Sequence, residues 1–414
     1  MAGKTIAVLG GGVGGLMAAN TLRRLLPRDH RVLLVEKDHR HAFAPSFLWL
    51  MVGARREDQI VRDLRSLMVP GVELIRAEVS NIDLANRRVE TTGQSIGYDY
   101  LILALGAEYA PDSVPGLDST AHTYYTLSGA ATLQQALRAF PEKGGRVAVA
   151  VCGMPYKCPA APYEGAMLIA DYFRHRGLGG RIEVHLYTPE PQPMPVAGPA
   201  LGGAVQEMLG ARGVAFHPLH KVTAVDGAAQ RLQFEGREPA GFDLLVTVPP
   251  HRSPRVVREA GLTNDAGWVP VDRTTLRTRY EHVYAVGDVT AISIPGRWKP
   301  DVPMLLPKAG VFAHAQGEVA ARQIAAELTG ARPANFDGYG YCMLEAGGGI
   351  AGMAFGNFFG EPSPEVRLGR PGQVWHWGKV LFEQWWLAPP GARRNALRVA
   401  MVLGARSLGL RAVA

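Results

Sequence analysis

This 414-residue chain carries three thiols, and one of them, Cys158, occupies a place where a glycine belongs. Residues 146–164 read as a buried strand, a tight turn and a helix. A turn of that kind holds a dinucleotide only when glycines let the backbone approach phosphate. Here it runs Cys152-Gly153-Met154-Pro155-Tyr156-Lys157-Cys158-Pro159-Ala160-Ala161-Pro162. Thiols, prolines and a lysine stand where glycines should be, so the turn reads as rebuilt for sulfur chemistry. Cys342 is the second candidate thiol, whereas Cys152 ends the strand and reads as core. A thiolate is the reactive form and needs nearby positive charge to lower its pKa. Lys157 and Lys308 are the expected sources. On residue type alone, Cys158 and Cys342 are equally well read as buried thiols acting as small hydrophobes.

A second turn keeps what the first has lost. Ile6-Ala7-Val8-Leu9-Gly10-Gly11-Gly12-Val13-Gly14-Gly15 is a strand running into a full G-x-G-x-x-G. Gly10 permits the turn, Gly12 lets the backbone approach a pyrophosphate, and Gly15 lets helix pack on strand. Glu36, at the end of the next strand, is placed to bond ribose hydroxyls. Farther on, Gly106 closes a buried strand, and Gly287-Asp288 closes another with a carboxylate suited to a ribityl chain. That feature favours FAD over NAD. Lys308 and Gly310 open a long helix whose N-terminal dipole would face the flavin pyrimidine ring. Val79 is counted among the cofactor-facing residues, and no metal site is expected.

Positioning these residues takes an α/β fold with parallel sheets, because short apolar strands alternate with helical patterns throughout. Strands are expected at 4–9, 32–35, 98–107, 146–151, 182–187 and 243–248, with helices at 16–26, 161–174 and 308–328. The pattern predicts two Rossmann-like dinucleotide-binding domains, the second inserted in the first. Residues 1–110 and 271–330 would form the FAD domain, and 111–270 the second domain with a degenerate NAD site carrying Cys158. A glycine- and aromatic-rich region, 331–387, would hold Cys342, followed by a basic amphipathic tail, 388–414.

Composition excludes several classes. Hydrophobic content of 47% with 20% charged residues belongs to a globular protein. Three cysteines are too few, and odd in number, for a secreted disulfide scaffold. Met1-Ala2-Gly3-Lys4-Thr5 runs directly into the first strand, so we expect no signal peptide and synthesis in the cytoplasm. The net charge of +7 could suggest nucleic acid. However, Arg393, Arg394, Arg398, Arg406 and Arg411 concentrate in a final segment without acids, which favours an anionic membrane surface instead.

Gly10-x-Gly12-x-x-Gly15 with Glu36, Ala104-Leu105-Gly106, Gly287-Asp288 and Pro307-Lys308-Ala309-Gly310 resemble the two-dinucleotide-domain disulfide reductase flavoproteins. Within that group, three further stretches resemble sulfide:quinone oxidoreductases and the flavin subunit of flavocytochrome c sulfide dehydrogenase. They are Cys158-Pro159-Ala160-Ala161-Pro162-Tyr163-Glu164, Cys342-Met343-Leu344-Glu345 and Gly378-Lys379-Val380-Leu381-Phe382-Glu383. The resemblance spans almost the whole chain. It implies that Cys158 and Cys342 are a redox pair, that Glu164 is an acid near the flavin, and that Lys379 and Phe382 line flavin and quinone.

The chain departs from the resemblance in three places. His122–Leu127 lacks a third cysteine, the stretch near Ala42–Phe47 lacks a flavin-linking thiol, and Pro191–Gly198 lacks channel histidines. FAD is therefore expected to bind noncovalently.

The expected activity is oxidation of sulfide to sulfane sulfur or polysulfide, with electrons passing through FAD to a membrane quinone. Phe382, Trp385 and Trp386 would form an apolar slot for the quinone ring. Residues 396–403 with Arg406 would lie in the membrane interface, making the protein peripheral. Two readings compete: an NADH:quinone oxidoreductase, and a flavin electron-transfer subunit working with a separate cytochrome. A homo-oligomer is compatible with the sequence.

Overall fold

The computed structural model describes residues 3–299 and 302–411. Two parallel sheets dominate. In the first, the strands run in the order Val283–Ala285, Tyr100–Leu103, Thr5–Leu9, Arg31–Glu36, Val72–Arg76. In the second, the order is Val214–His217, Ile182–Tyr187, Gly145–Val151, Leu244–Val248. These strands are short runs of aliphatic residues because both faces are covered. Ile6, Ala7, Val8 and Leu9 are fully buried, as are Val147 to Val151. The second sheet therefore lies wholly within the chain segment between two strands that pair directly, Tyr100–Leu103 and Val283–Ala285.

The observed elements differ from expectation mainly at their ends. The first helix is Val13–Leu25, which starts three residues early and packs on Gly310–Thr329, the helix expected at 308–328. The strand expected at 98–107 is only Tyr100–Leu103. Gly106 has a φ of 69°, so the backbone leaves the sheet there and opens a cavity. Gly10 has a φ of 102°, and a Cβ on Gly15 would lie 1.9 Å from the Gly10 carbonyl oxygen. The turn therefore closes only with glycine at both positions.

After residue 330 come three antiparallel strands, Tyr339–Glu345, Ala351–Asn357 and Glu365–Gly372, then the helices Gln373–Trp386 and Ala392–Ser407. The first of these strands lies against the helix Ala161–His175, which follows the degenerate turn. That contact brings Cys342 to Cys158. Among the described residues no helix is long and apolar enough to cross a membrane. Residues 412–414 of the expected tail lie outside the described residues.

Candidate active site

Cys158 has a φ of 59°, the left-handed conformation that glycine adopts freely and a side chain resists. The backbone is held there from both sides. Its N–H donates to the Lys308 carbonyl at 2.6 Å, and its carbonyl accepts from Ala161 N–H at 3.0 Å as the helix begins. The degenerate turn is thus tied to the chain just before the helix Gly310–Thr329.

A cavity of about 1220 Å³ opens at this junction. Gly10, Gly12, Glu36, Val79, Gly106, Gly287, Asp288, Lys308, Gly310, Cys158, Cys342, Glu164, Lys379 and Phe382 all line it. Gly15 stands behind the wall as a packing residue. A Cβ on Gly12 would meet nothing within 4 Å, so the backbone there faces open cavity. Glu36 Oε2 accepts from Gly11 N–H at 2.6 Å and Oε1 from Asp38 N–H at 2.9 Å, which fixes the carboxylate at the cavity edge. The set can therefore hold a dinucleotide. Among the described residues, no cluster of three or more His, Cys, Asp or Glu could hold a metal.

The thiol end of the cavity is enclosed largely by protein, with Cys158 and Cys342 half-buried on its wall. All three cysteines are free thiols. Cys152 is core, as expected, and burial pushes its pKa up to about 12. Cys158 is also pushed up to about 12, first by burial and then by the charge of Glu164, with Lys379 opposing. Burial raises Cys342 well above the ordinary thiol value; Glu164 and Cys158 add to the rise, and Lys379 opposes it. This corrects the expectation of thiolates stabilised by Lys157 and Lys308. Lys157 Nζ sits 4.5 Å from the centre of the Tyr109 ring. Lys308 Nζ donates to the carbonyls of Asp288 (2.7 Å) and Thr290 (2.9 Å), and burial lowers its pKa to about 8. Desolvation outweighs their charge, and the cation that does oppose it is Lys379.

Lys379 and Glu164 form a buried ion pair, Nζ to Oε1 at 2.5 Å, with side chains 6% and 2% exposed. Lys379 also donates to the Met343 carbonyl at 3.2 Å, next to Cys342. Glu164 Oε1 accepts a second hydrogen bond, from Glu345 N–H at 2.9 Å. Lys379 supplies the positive charge that acts on both thiols.

The apolar end differs from expectation too. Trp385 is 3% exposed and packs into the core beside Phe382 and His314, outside the cavity lining. Trp386 does line the cavity but spends its indole N–H on His41 Nε2 at 2.8 Å. An indole nitrogen only donates, so His41 Nε2 accepts and Nδ1 carries the proton toward the Gly11 carbonyl, 3.1 Å away. The slot thus reduces to Phe382 with Phe43 (ring centres 5.8 Å apart) and Tyr341 (6.1 Å).

Sequence reading missed His41, Glu190, Glu345 and His376. His376, Lys379 and Glu383 recur at i, i+3 and i+7, so the inward polar stripe on their helix was open to view. The role of Glu190 carried no such signal.

A family model described as pyridine nucleotide-disulphide oxidoreductase matches residues 4–317. The chain belongs to this family. This oxidoreductase is 27% identical over 361 residues to the mitochondrial sulfide:quinone oxidoreductase of Mus musculus, covering 83% of this chain and 75% of that one. The crystal structure of the sulfide:quinone oxidoreductase of Aquifex aeolicus superposes with a TM-score of 0.84 at 25% identity, covering 98% of this chain and 94% of that one. A demethylphylloquinone reductase of Synechocystis is 28% identical over 341 residues, 78% of this chain and 80% of its own.

Proposed function

We propose that this family member is a FAD-dependent sulfide:quinone oxidoreductase using Cys158 and Cys342 as its redox pair. The observation that carries the reading is Cys158 in a left-handed turn, sharing one cavity with Cys342 and the Glu164–Lys379 pair. The mouse and Aquifex relatives support it. The Gly10–Gly15 turn, Glu36 and the Gly12 backbone facing open cavity fit FAD. No thiol lies near Ala42–Phe47, in keeping with noncovalent binding.

When bound, FAD would accept two electrons from the sulfur side and pass them to a quinone. The residues of the chain do the rest. Hydrosulfide attacks the Cys158–Cys342 disulfide: one S–S bond breaks, one forms, and the products are a persulfide on one cysteine and a thiolate on the other. A neutral disulfide suits a cavity that penalises bare thiolates, and Lys379 is the charge that meets the thiolate once formed. When the sulfane sulfur leaves to a second nucleophile, the disulfide re-forms and two electrons depart. Phe382, Phe43 and Tyr341 provide the apolar wall for a quinone ring.

NADH is disfavoured for a specific reason. Glu190 follows the second strand of the inserted sheet, where a ribose-binding acid is needed. Its Oε2 instead accepts from Tyr156 (2.8 Å), Tyr163 (2.5 Å) and Thr188 (3.0 Å). Tyr156 belongs to the degenerate turn itself, so the acid is satisfied internally. Anaerobic titration of the flavoprotein tests the reading. Sulfide bleaches the flavin, a soluble quinone restores its colour, and NADH does nothing; bleaching by NADH with no response to sulfide would overturn it.

We also assign the C-terminal helix to a membrane surface. On that helix Val399 (56% exposed) and Leu403 (60%) are large apolar residues left in water, as is Trp377 (64%) on the helix before it. The tail is not wholly free, however. Leu397 and Met401 pack on the protein core, Arg411 pairs with Asp337, and the Arg394 guanidinium lies 5.0 Å from the centre of the Trp385 ring. These two arginines are thus spent internally. The doubly charged variant Val399→Glu, Leu403→Glu should stay in the supernatant when anionic vesicles are pelleted, with its flavin retained. Pelleting at the unmodified level would refute the assignment.

A further inference from the structure

Hydrosulfide brings a negative charge into a largely protein-lined cavity, so it needs a cation to rest against. The cationic side chains on the cavity wall are Lys37, Arg40, Lys157, Arg255, Lys308 and Lys379. All but Lys157 are committed. Lys37 pairs with Glu78, Arg40 with Glu57, Arg255 with Glu259 and Lys379 with Glu164. Lys308 spends its ammonium on the carbonyls of Asp288 and Thr290. Lys157 makes no ion pair among the described residues, and its Nζ lies over the Tyr109 ring.

We propose that Lys157 is the docking cation for hydrosulfide, holding the anion beside Cys158 before it attacks the disulfide. The inference rests on the sulfide-oxidising reading above. Lys157 immediately precedes Cys158, and its backbone bridges to that of Lys308. The contacts that hold Cys158 in its left-handed turn therefore also fix the base of the lysine. The face of an aromatic ring attracts a cation without neutralising it, so the positive charge stays available to an anion. Burial opposes that charge, but Tyr109, Asp288 and Cys158 outweigh it and raise the lysine's pKa. The ammonium thus keeps its proton at neutral pH.

Two polar atoms around Lys157 lack partners. The Tyr125 hydroxyl and His251 Nε2 are both buried with no hydrogen bond among the described residues. The Tyr109 ring packs edge-on against both, at 6.2 Å from Tyr125 and 5.0 Å from His251. His251 Nδ1 lies 2.7 Å from the Pro249 carbonyl and so carries the proton, which leaves Nε2 an acceptor. Tyr125 is 6% exposed and lines the cavity, and its O–H is a donor with nothing to receive it. A buried donor left unpaired costs energy, and an anion held at Lys157 is the partner it lacks.

The two lysines beside the thiols then have separate duties. Lys157 holds the anion before the attack, and Lys379, locked to Glu164, meets the thiolate that the attack releases. Docking itself breaks no covalent bond and moves no electrons.

Two measurements test the site. In the flavin-loaded enzyme with sulfide and a soluble quinone, Lys157→Met should raise KM for sulfide about tenfold. Its kcat at saturating sulfide should stay within about twofold, because the cation holds bound anion and transition state alike. Lys157→Arg keeps the charge and should recover most of the KM, and Tyr125→Phe should raise KM about threefold. The second measurement needs no sulfide and no flavin reduction. The reduced protein is alkylated with iodoacetate, an anion, or with iodoacetamide, its neutral counterpart, and modification of Cys158 is read by peptide mass. The ratio of the two rates should fall about tenfold in Lys157→Met. A ratio or a KM unchanged by that substitution overturns the docking site. Should sulfide fail to bleach the unmodified flavoprotein while the alkylation ratio still depends on Lys157, the sulfide-oxidising reading fails and the anion site stands.

Discussion

Cys158→Gly folds more stably than Cys158→Ala, by about 1 kcal/mol, and the flavin of neither variant responds to sulfide. At most positions the order is reversed, because glycine gives up more chain entropy on folding than alanine. Here the backbone sits at a φ of 59°, where a Cβ is strained and glycine is not. Both variants lose the same sulfur, so the comparison isolates the strain from the chemistry. The enzyme keeps a side chain where the fold would be more comfortable without one, a pattern found where backbone strain serves a site. Chemical denaturation of the two variants and anaerobic sulfide titration check the two halves. A glycine variant less stable than the alanine variant removes the strain argument; sulfide reduction surviving in either removes Cys158 from the reaction.

Lys379→Met should be the most destabilising single change in the site, costing roughly 3–5 kcal/mol, because it strands Glu164 as an unpaired buried charge. The carboxylate retains only the Glu345 N–H among the donors found around its Oε1. Adding Glu164→Gln to that background removes the charge while keeping an acceptor for Glu345, and most of the lost stability returns. Both double and single variants should still be slow with sulfide, since the cation that acts on both thiols is gone. Urea denaturation of the three proteins measures the loss and its recovery. A Lys379→Met variant as stable as the unmodified protein would mean that the pair is not the electrostatic anchor of the thiol cavity.

Much of the architecture was legible in local patterns. Strand, glycine turn and acid at Gly10–Glu36 declare a dinucleotide turn, because backbone access to phosphate restricts the choice of residue so severely. The loss of glycines at 152–162, with a cysteine in a glycine's place, announced the second turn's altered use. Periodicity located the helices Ala161–His175 and Gly310–Thr329 to within a few residues.

What local patterns leave undetermined is what each buried face is buried against. Trp386 looked like a wall for a ring, but His41, 345 residues away in the chain, takes its N–H. Five tail arginines looked free for lipid, yet Asp337 and the Trp385 ring claim two of them. Lys157 and Lys308 looked like activators of a thiolate because they are cationic and near in sequence or motif. Burial is the largest influence on the thiols and raises their pKa, and the cation that opposes it comes from the helix Gln373–Trp386. Residue types and spacing by themselves determined the nucleotide turn, the alternating α/β order and the candidate thiols, because those depend on backbone geometry within a few residues. Only tertiary packing decided that Cys342 meets Cys158 and that Lys379 faces Glu164, because proximity and dielectric are properties of what the whole chain folds over a point.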